Sequence, residues 1–319
     1  MASSTSVVLA ALFANGAIAI MKFGGYLLTG SPAMLSETYH SVSDTGNQVF
    51  LLVGIKYGAQ EATRSHPFGH GKAQFFYSLL VSVMLFGIAG WESARHGVSA
   101  LREGGVHRAS EDVTLLGATF DPVYVNYAVL LGAIAFESYA LWKAYQGISR
   151  QMDDHGWTSL REAFSKTSDV TTLTALTEDT IALAGAGIAL FGVYLTRTTG
   201  NPVYDAGSAL VIGIMLMGFA VALAVENKRL ILGESLAKED EDELRRIIAD
   251  WEGVTELVDL RTVYFGAEEL LLTADIAFDP VLDAEEINER ITELERALTE
   301  HDDQLQRIYI EPEVQDATR

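Results

Sequence analysis

The stretch SETYHSVSD, Ser36 to Asp44, sets Glu37, His40 and Asp44 inside a segment otherwise apolar enough to cross a bilayer. On a helix, the spacing i, i+3, i+7 puts all three side chains on one stripe roughly 100° wide, where they can converge on a single object. His40 and Asp44, separated by about 6 Å of helical rise, can lean onto one cation or one proton path. Three more segments of this kind carry Asn15, Glu137 in AFESY, and the pair Glu178 and Asp179 in TALTEDTIAL. A charge in hydrocarbon costs roughly 2.5–3.5 kcal/mol even on lenient insertion scales, so these groups must face one another, water or a cation. Asn15 reads as a polar contact between helices. For the second and fifth segments a site is the better reading. One imidazole with two or three carboxylates is a donor set for a hard-to-borderline divalent metal, and a structural contact has no need of so much negative charge.

Positioning these residues requires a membrane domain. The chain has 319 residues, 49% of them hydrophobic, yet its formal net charge is -21, so apolar and acidic residues must be segregated. Most of the acidic excess follows Glu234, in EDEDELRR, DAEEINERITELE and EHDD. Six spans of about 20 residues are expected near 6–28, 33–55, 74–97, 123–146, 172–196 and 203–226. The first lacks a basic leader and a small-residue cleavage site and reads as a retained helix. Lys56, Arg64 and Lys72 follow the second span, Arg150, Arg161 and Lys166 the fourth, and Lys228 and Arg229 the sixth. Arg102, Arg108 and Arg197 occupy the opposite loops. The excess of positive charge on one side predicts both termini in the cytoplasm.

After Glu234 the period changes. KEDEDELRRIIADW reads as an amphipathic helix, VTELVDLRTVYF and ELLLTADIAF as strands about the turn GAEE, AEEINERITELERALTEH as a helix, and LQRIYIEP as a last strand. The order α-β-β-α-β suits a ferredoxin-like α+β domain. The expected division is 1–230 for six transmembrane helices and 231–319 for a cytoplasmic domain.

Composition also excludes. Without cysteine there are no disulfides and no thiolate metal sites. No basic face is present to meet nucleic acid. A metallohydrolase signature such as HExxH is missing, so the chain does not read as an enzyme. The acid-rich composition points to a host adapted to high salt.

Several motifs together resemble the cation diffusion facilitator family, whose members export zinc and related divalent ions, usually in exchange for protons. GSPAMLSETYHSVSDTGNQ looks like the family's second helix, and HPFGHGKAQ follows it. LTEDTIALAGAGIAL falls in the fifth, and TGNPVYDAGSALVIG opens the sixth, before a C-terminal domain of the family's element order. The resemblance covers nearly the whole chain and is nearest to the branch containing the mitochondrial zinc exporter of animals. It implies a homodimeric exporter, expected in a prokaryotic cell membrane, with Zn2+ as transported substrate and no permanently bound cofactor.

Carried over by position, the family's transport ligands fall on His40, Asp44 and Asp179. The family places a His or Asp four residues before the last of these, where this chain has Ala175, so Glu178 is the candidate replacement, with water the alternative. A set with one imidazole and mostly oxygen donors admits manganese, iron(II) and cobalt as well as zinc. His66 and His70 resemble a secondary metal site, but Thr63 stands where the family has a carboxylate. Lys72 resembles a family lysine paired with an acidic residue at the start of the sixth helix, here Asp205. In the cytoplasmic domain only His301 could ligate, and beside Asp302 and Asp303 it reads as a solvated helix end, leaving dimerisation as the domain's expected role. Metal binding by neutral imidazole and ionised carboxylates releases protons, which couples alternating access to proton entry. A metal sensor without transport is the other class these ligands could serve.

Overall fold

The computed structural model describes residues 2–104, 113–115, 118–155, 157–160, 170–267 and 269–313. Arg108, Arg161 and Lys166, used above for orientation, lie outside them. Six long helices follow the expected spans: α1 (Ala2–Thr29), α2 (Pro32–Gly58), α3 (Ala73–Arg102), α4 (Val123–His155), α5 (Val170–Thr199) and α6 (Val203–Leu232). Five contain an apolar window long enough to cross a bilayer. The exception, α2, is long enough, but its ionisable and hydroxyl side chains lower its hydropathy. A short antiparallel ribbon, β1 (Val113–Leu115) and β2 (Ala118–Phe120), lies between α3 and α4.

Two compact units result, Met1–Val53 with Tyr77–Val225, and Gly54–Phe76 with Glu226–Arg319. The end of α2 and the loop after it, assigned from sequence to the membrane part, thus group with the C-terminal residues. In the first unit Met34, Leu85, Leu130, Val193, Ile212 and Leu216 form a buried core. Phe13, Ile20, Val83, Phe191 and Ile214 point outward, as a bilayer-facing surface requires. Small residues set a close crossing of α3 and α6. A Cβ on Gly213 would lie 2.4 Å from the Ala94 nitrogen, and one on Gly90 would lie 2.5 Å from Met217 Cγ, so α3 and α6 meet backbone to backbone. Next to that crossing α3 contains a π-helical turn over Leu85–Gly90, where the Trp91 N–H reaches back to the Phe86 carbonyl.

The second unit contains α7 (Lys238–Ala249), β3 (Val254–Gly266), β4 (Glu269–Phe278), α8 (Ala284–His301) and β5 (Leu305–Glu313). The element order is the expected α-β-β-α-β, and the sheet runs β3-β4-β5, with β3 antiparallel and β5 parallel to β4. Alternate residues Leu270, Leu272, Ala274 and Ile276 of the central strand turn inward. They pack with Leu244 and Ile248 of α7 and Leu294 and Leu298 of α8. Asp283 starts α8 with a capping box, accepting from the Glu285 and Glu286 N–H groups while Glu286 accepts from the Asp283 N–H.

Candidate transport site

The start of α2 is fixed first. Pro32 opens the helix, and the Ser31 hydroxyl accepts from the Met34 N–H at 3.1 Å, a standard N-cap. Asp205, from the first turn of α6, adds a second cap from outside. Its carboxylate accepts from the Ser31 hydroxyl at 2.9 Å and from the Ala33 N–H at 3.1 Å, where the helix dipole favours negative charge. Lys72 donates to the Ile231 carbonyl at 3.3 Å.

Further along α2, the hydroxyls of Ser36, Thr38 and Thr45 bond back to carbonyls four residues earlier, so they are satisfied without leaving the helix. The ionisable residues are not. His40 is 2% exposed, and neither ring nitrogen has a hydrogen-bond partner. Its Nδ1 lies 3.6 Å from an Asp44 carboxylate oxygen. One turn beyond Asp44, Asn47 donates to Glu178 of α5 at 3.4 Å, which sets Glu178 opposite the His40–Asp44 end of the stripe. Asp179 is half-buried beside it, and Glu137 is half-buried on α4. Among the described residues no three His, Asp or Glu side chains are gathered tightly enough to hold one ion together.

Glu37 departs from the expected convergence. Its carboxylate is bonded at 2.8 Å to Lys22 of α1, and Lys22 also donates to Ser41 at 2.9 Å. The stripe therefore divides into an ion-paired half, Glu37 and Ser41 with Lys22, and an uncommitted half, His40 and Asp44. Asn15, also on α1, is half-buried.

In the loop before α3 the His66 and His70 rings lie 4.4 Å apart between centroids, and His70 packs edge-on against Tyr57. Thr63 is structural. Its hydroxyl accepts from the His66 N–H, and the two residues exchange backbone hydrogen bonds as well. His301 lies 3.6 Å from Glu243.

A buried donor set on two packed membrane helices, joined in sequence to a small α+β domain, is an arrangement that comparison with known proteins can resolve. Residues 8–232 match the model of the cation efflux transmembrane domain, and residues 236–314 match that of the cation efflux protein cytoplasmic domain. The chain belongs to the cation efflux family. It is 30% identical over 273 residues to the mouse protein named proton-coupled zinc antiporter SLC30A9, mitochondrial, a match covering 86% of this chain and 46% of that one. It is 27% identical over 278 residues to metal tolerance protein C4 of Arabidopsis thaliana, covering 86% and 57%. To the cation-efflux pump FieF of Escherichia coli it is 26% identical over 250 residues, covering 77% and 72%. The chain spans about half the length of the first of these relatives.

As a member of this family the chain is a multi-pass membrane protein and no enzyme. Two residues at the site escape a reading of the sequence. Lys22 lies within an apolar run that reads as a plain span, although a lysine in mid-span is itself a sign that an acidic partner exists. Asn47 carries no signal beyond its place one turn after Asp44.

Proposed function

We propose that the chain exports Zn2+ by alternating access in exchange for protons, with His40, Asp44, Asp179 and Glu178 as ligands of the moving ion. The observation that carries this reading is His40, a buried imidazole with both nitrogens uncommitted, 3.6 Å from the Asp44 carboxylate. A buried histidine serving only as structure would have its ring nitrogens hydrogen-bonded. To bind an ion, Glu178 exchanges its bond to Asn47 for the metal, and α2 and α5 draw together until Asp179 reaches it. Ligation requires a neutral imidazole and ionised carboxylates, so loading releases protons and unloading takes them up on the other side. The name of the mouse relative supports zinc and proton coupling. The oxygen-rich donor set keeps Mn2+, Fe2+ and Co2+ as the second reading. The cytoplasmic domain pairs two copies of the chain, and both termini lie in the cytoplasm. His66 and His70, adjacent and without a carboxylate, form at most a weaker loading site.

Proteoliposomes containing the full chain and a metal-sensitive dye test this. Zinc is expected to give the fastest flux among zinc, manganese, iron(II) and cobalt, accelerated by an opposing proton gradient. Flux of none of the four would overturn transport by this site, and flux indifferent to the proton gradient would overturn the exchange.

A further inference from the structure

We propose that Lys22 is a resident cation of the transport site, which holds Glu37 out of the ligand set and thereby sets how tightly a divalent ion binds. The inference rests on His40 and Asp44 being ligands. Lys22 is 1% exposed and Glu37 0%, so this is a fully buried ion pair. Such a pair is poor value as a device for stability, since well-packed apolar residues generally serve a core equally well or better. Its placement is informative. Both acceptors of Lys22 belong to the α2 stripe, Glu37 three residues before His40 and Ser41 three residues before Asp44. The ammonium therefore sits about one helical turn from the ligands.

Glu37 itself is only half used. Its Oε2 accepts from Lys22, and its Oε1 is buried without a partner. That oxygen points at α5, where a Cβ on Gly185 would lie only 2.7 Å away. A glycine at 185 is what allows the carboxylate this close. A carboxylate with a free oxygen, on the stripe that carries His40 and Asp44 and facing the helix of Glu178 and Asp179, is an additional oxygen donor that Lys22 holds in place. Two consequences have the same sign. The ammonium neutralises one carboxylate of the stripe, and it repels a dication placed at His40. Both weaken metal binding, and a transporter must release its ion to turn over. Lys22 thus acts as a positioning residue through Glu37, in the way a bound counter-ion would.

The test is zinc calorimetry on the purified full-length protein, together with initial rates of flux in proteoliposomes. Lys22→Met frees Glu37 and is expected to tighten zinc binding roughly tenfold or more while lowering maximal flux. Glu37→Gln leaves the ammonium without its carboxylate and is expected to weaken binding by roughly the same factor. Lys22→Met combined with Glu37→Gln cancels the two effects and returns affinity towards wild type, and Lys22→Arg keeps the wild-type value. A loss of thermal stability in the single variants with unchanged zinc affinity would reduce the pair to a structural contact and overturn the proposal. Should Lys22→Met fail to fold, Glu37→Gln against the double variant decides, because only a charge effect recovers affinity when the second charge is removed. His40→Ala separates the underlying reading. If that variant binds zinc as wild type does, the site assignment and this proposal fall together, whereas loss of binding there with no change in the Lys22 and Glu37 variants refutes this proposal alone.

Discussion

The two compact units place their charges in opposite settings. In the C-terminal unit the ion pairs lie at the surface. Arg290 reaches Glu252 and Glu293, and Arg245 reaches Glu241, all with exposed or half-exposed side chains, while the core is made of Leu, Ile, Ala and Phe. In the membrane unit large apolar side chains face outward and several ionisable groups lie inside, with Lys22, Glu37 and His40 nearly inaccessible. Water makes the first arrangement inexpensive and of little consequence, because screened exposed pairs each contribute well under about 1 kcal/mol. Hydrocarbon makes the second costly, so an interior ionisable residue there implies a task. The comparison sorts residues by what their loss should affect: function inside the bundle, stability in the core of the C-terminal unit, and very little at its surface.

The largest expected effect follows from the bundle side. His40→Ala and Asp44→Ala should each reduce metal flux in proteoliposomes by roughly a hundredfold or more, in line with removal of a metal ligand from a small donor set. Hydrogen exchange in the core strand β4 should be unchanged in both variants. Flux at the wild-type rate in either one would return that side chain to packing and break the division between the units.

What the sequence discloses follows the same physics. Helix lengths and the β4 alternation are legible because they depend on local patterns of apolar residues, and all six long helices begin within four residues of their expected spans. Pairing is less legible, because partner choice is tertiary. Glu37 and Lys22 are 15 positions apart on different helices, and nothing in either segment names the other. The same holds for Asp205, whose role as a cap on Ser31 and Ala33 at the start of α2 joins residues 174 and 172 positions apart. The π turn in α3 is likewise invisible in a hydropathy window, which reads composition and not hydrogen-bond register.

In the C-terminal unit, a core truncation should dominate stability and spare the transport chemistry. Leu272→Ala removes a fully buried side chain from the central strand and should cost about 2–5 kcal/mol. Arg290→Ala, which cuts two exposed pairs, should cost below about 1 kcal/mol and less at high salt. Hydrogen exchange of β4 amides in the full chain measures both. Equal costs for the two would mean that the acidic surface contributes to folding as strongly as the core, and the contrast between the units would lose its basis.

The smallest effect concerns Glu269, a carboxylate of the C-terminal unit placed somewhat as the bundle's are. It begins β4, packs against the backbone of Gly71 and Gly266, and burial pushes its carboxyl above the ordinary value of 4.5, with Arg307 pulling in the other direction. Because the folded unit holds this proton to higher pH than the unfolded chain, the group's contribution to stability is complete below the unfolded value. It is lost as pH rises through the folded one. Glu269→Gln keeps the neutral form at every pH. The variant should therefore match wild type at acidic pH, where Glu269 is protonated in both states, and be slightly more stable at neutral pH, where the wild-type carboxylate is ionised against its burial. Hydrogen exchange of β4 across that range reads the difference. A variant less stable than wild type at neutral pH would mean that the Arg307 attraction outweighs burial, and Glu269 would then belong with the exposed pairs and not with the charges of the bundle.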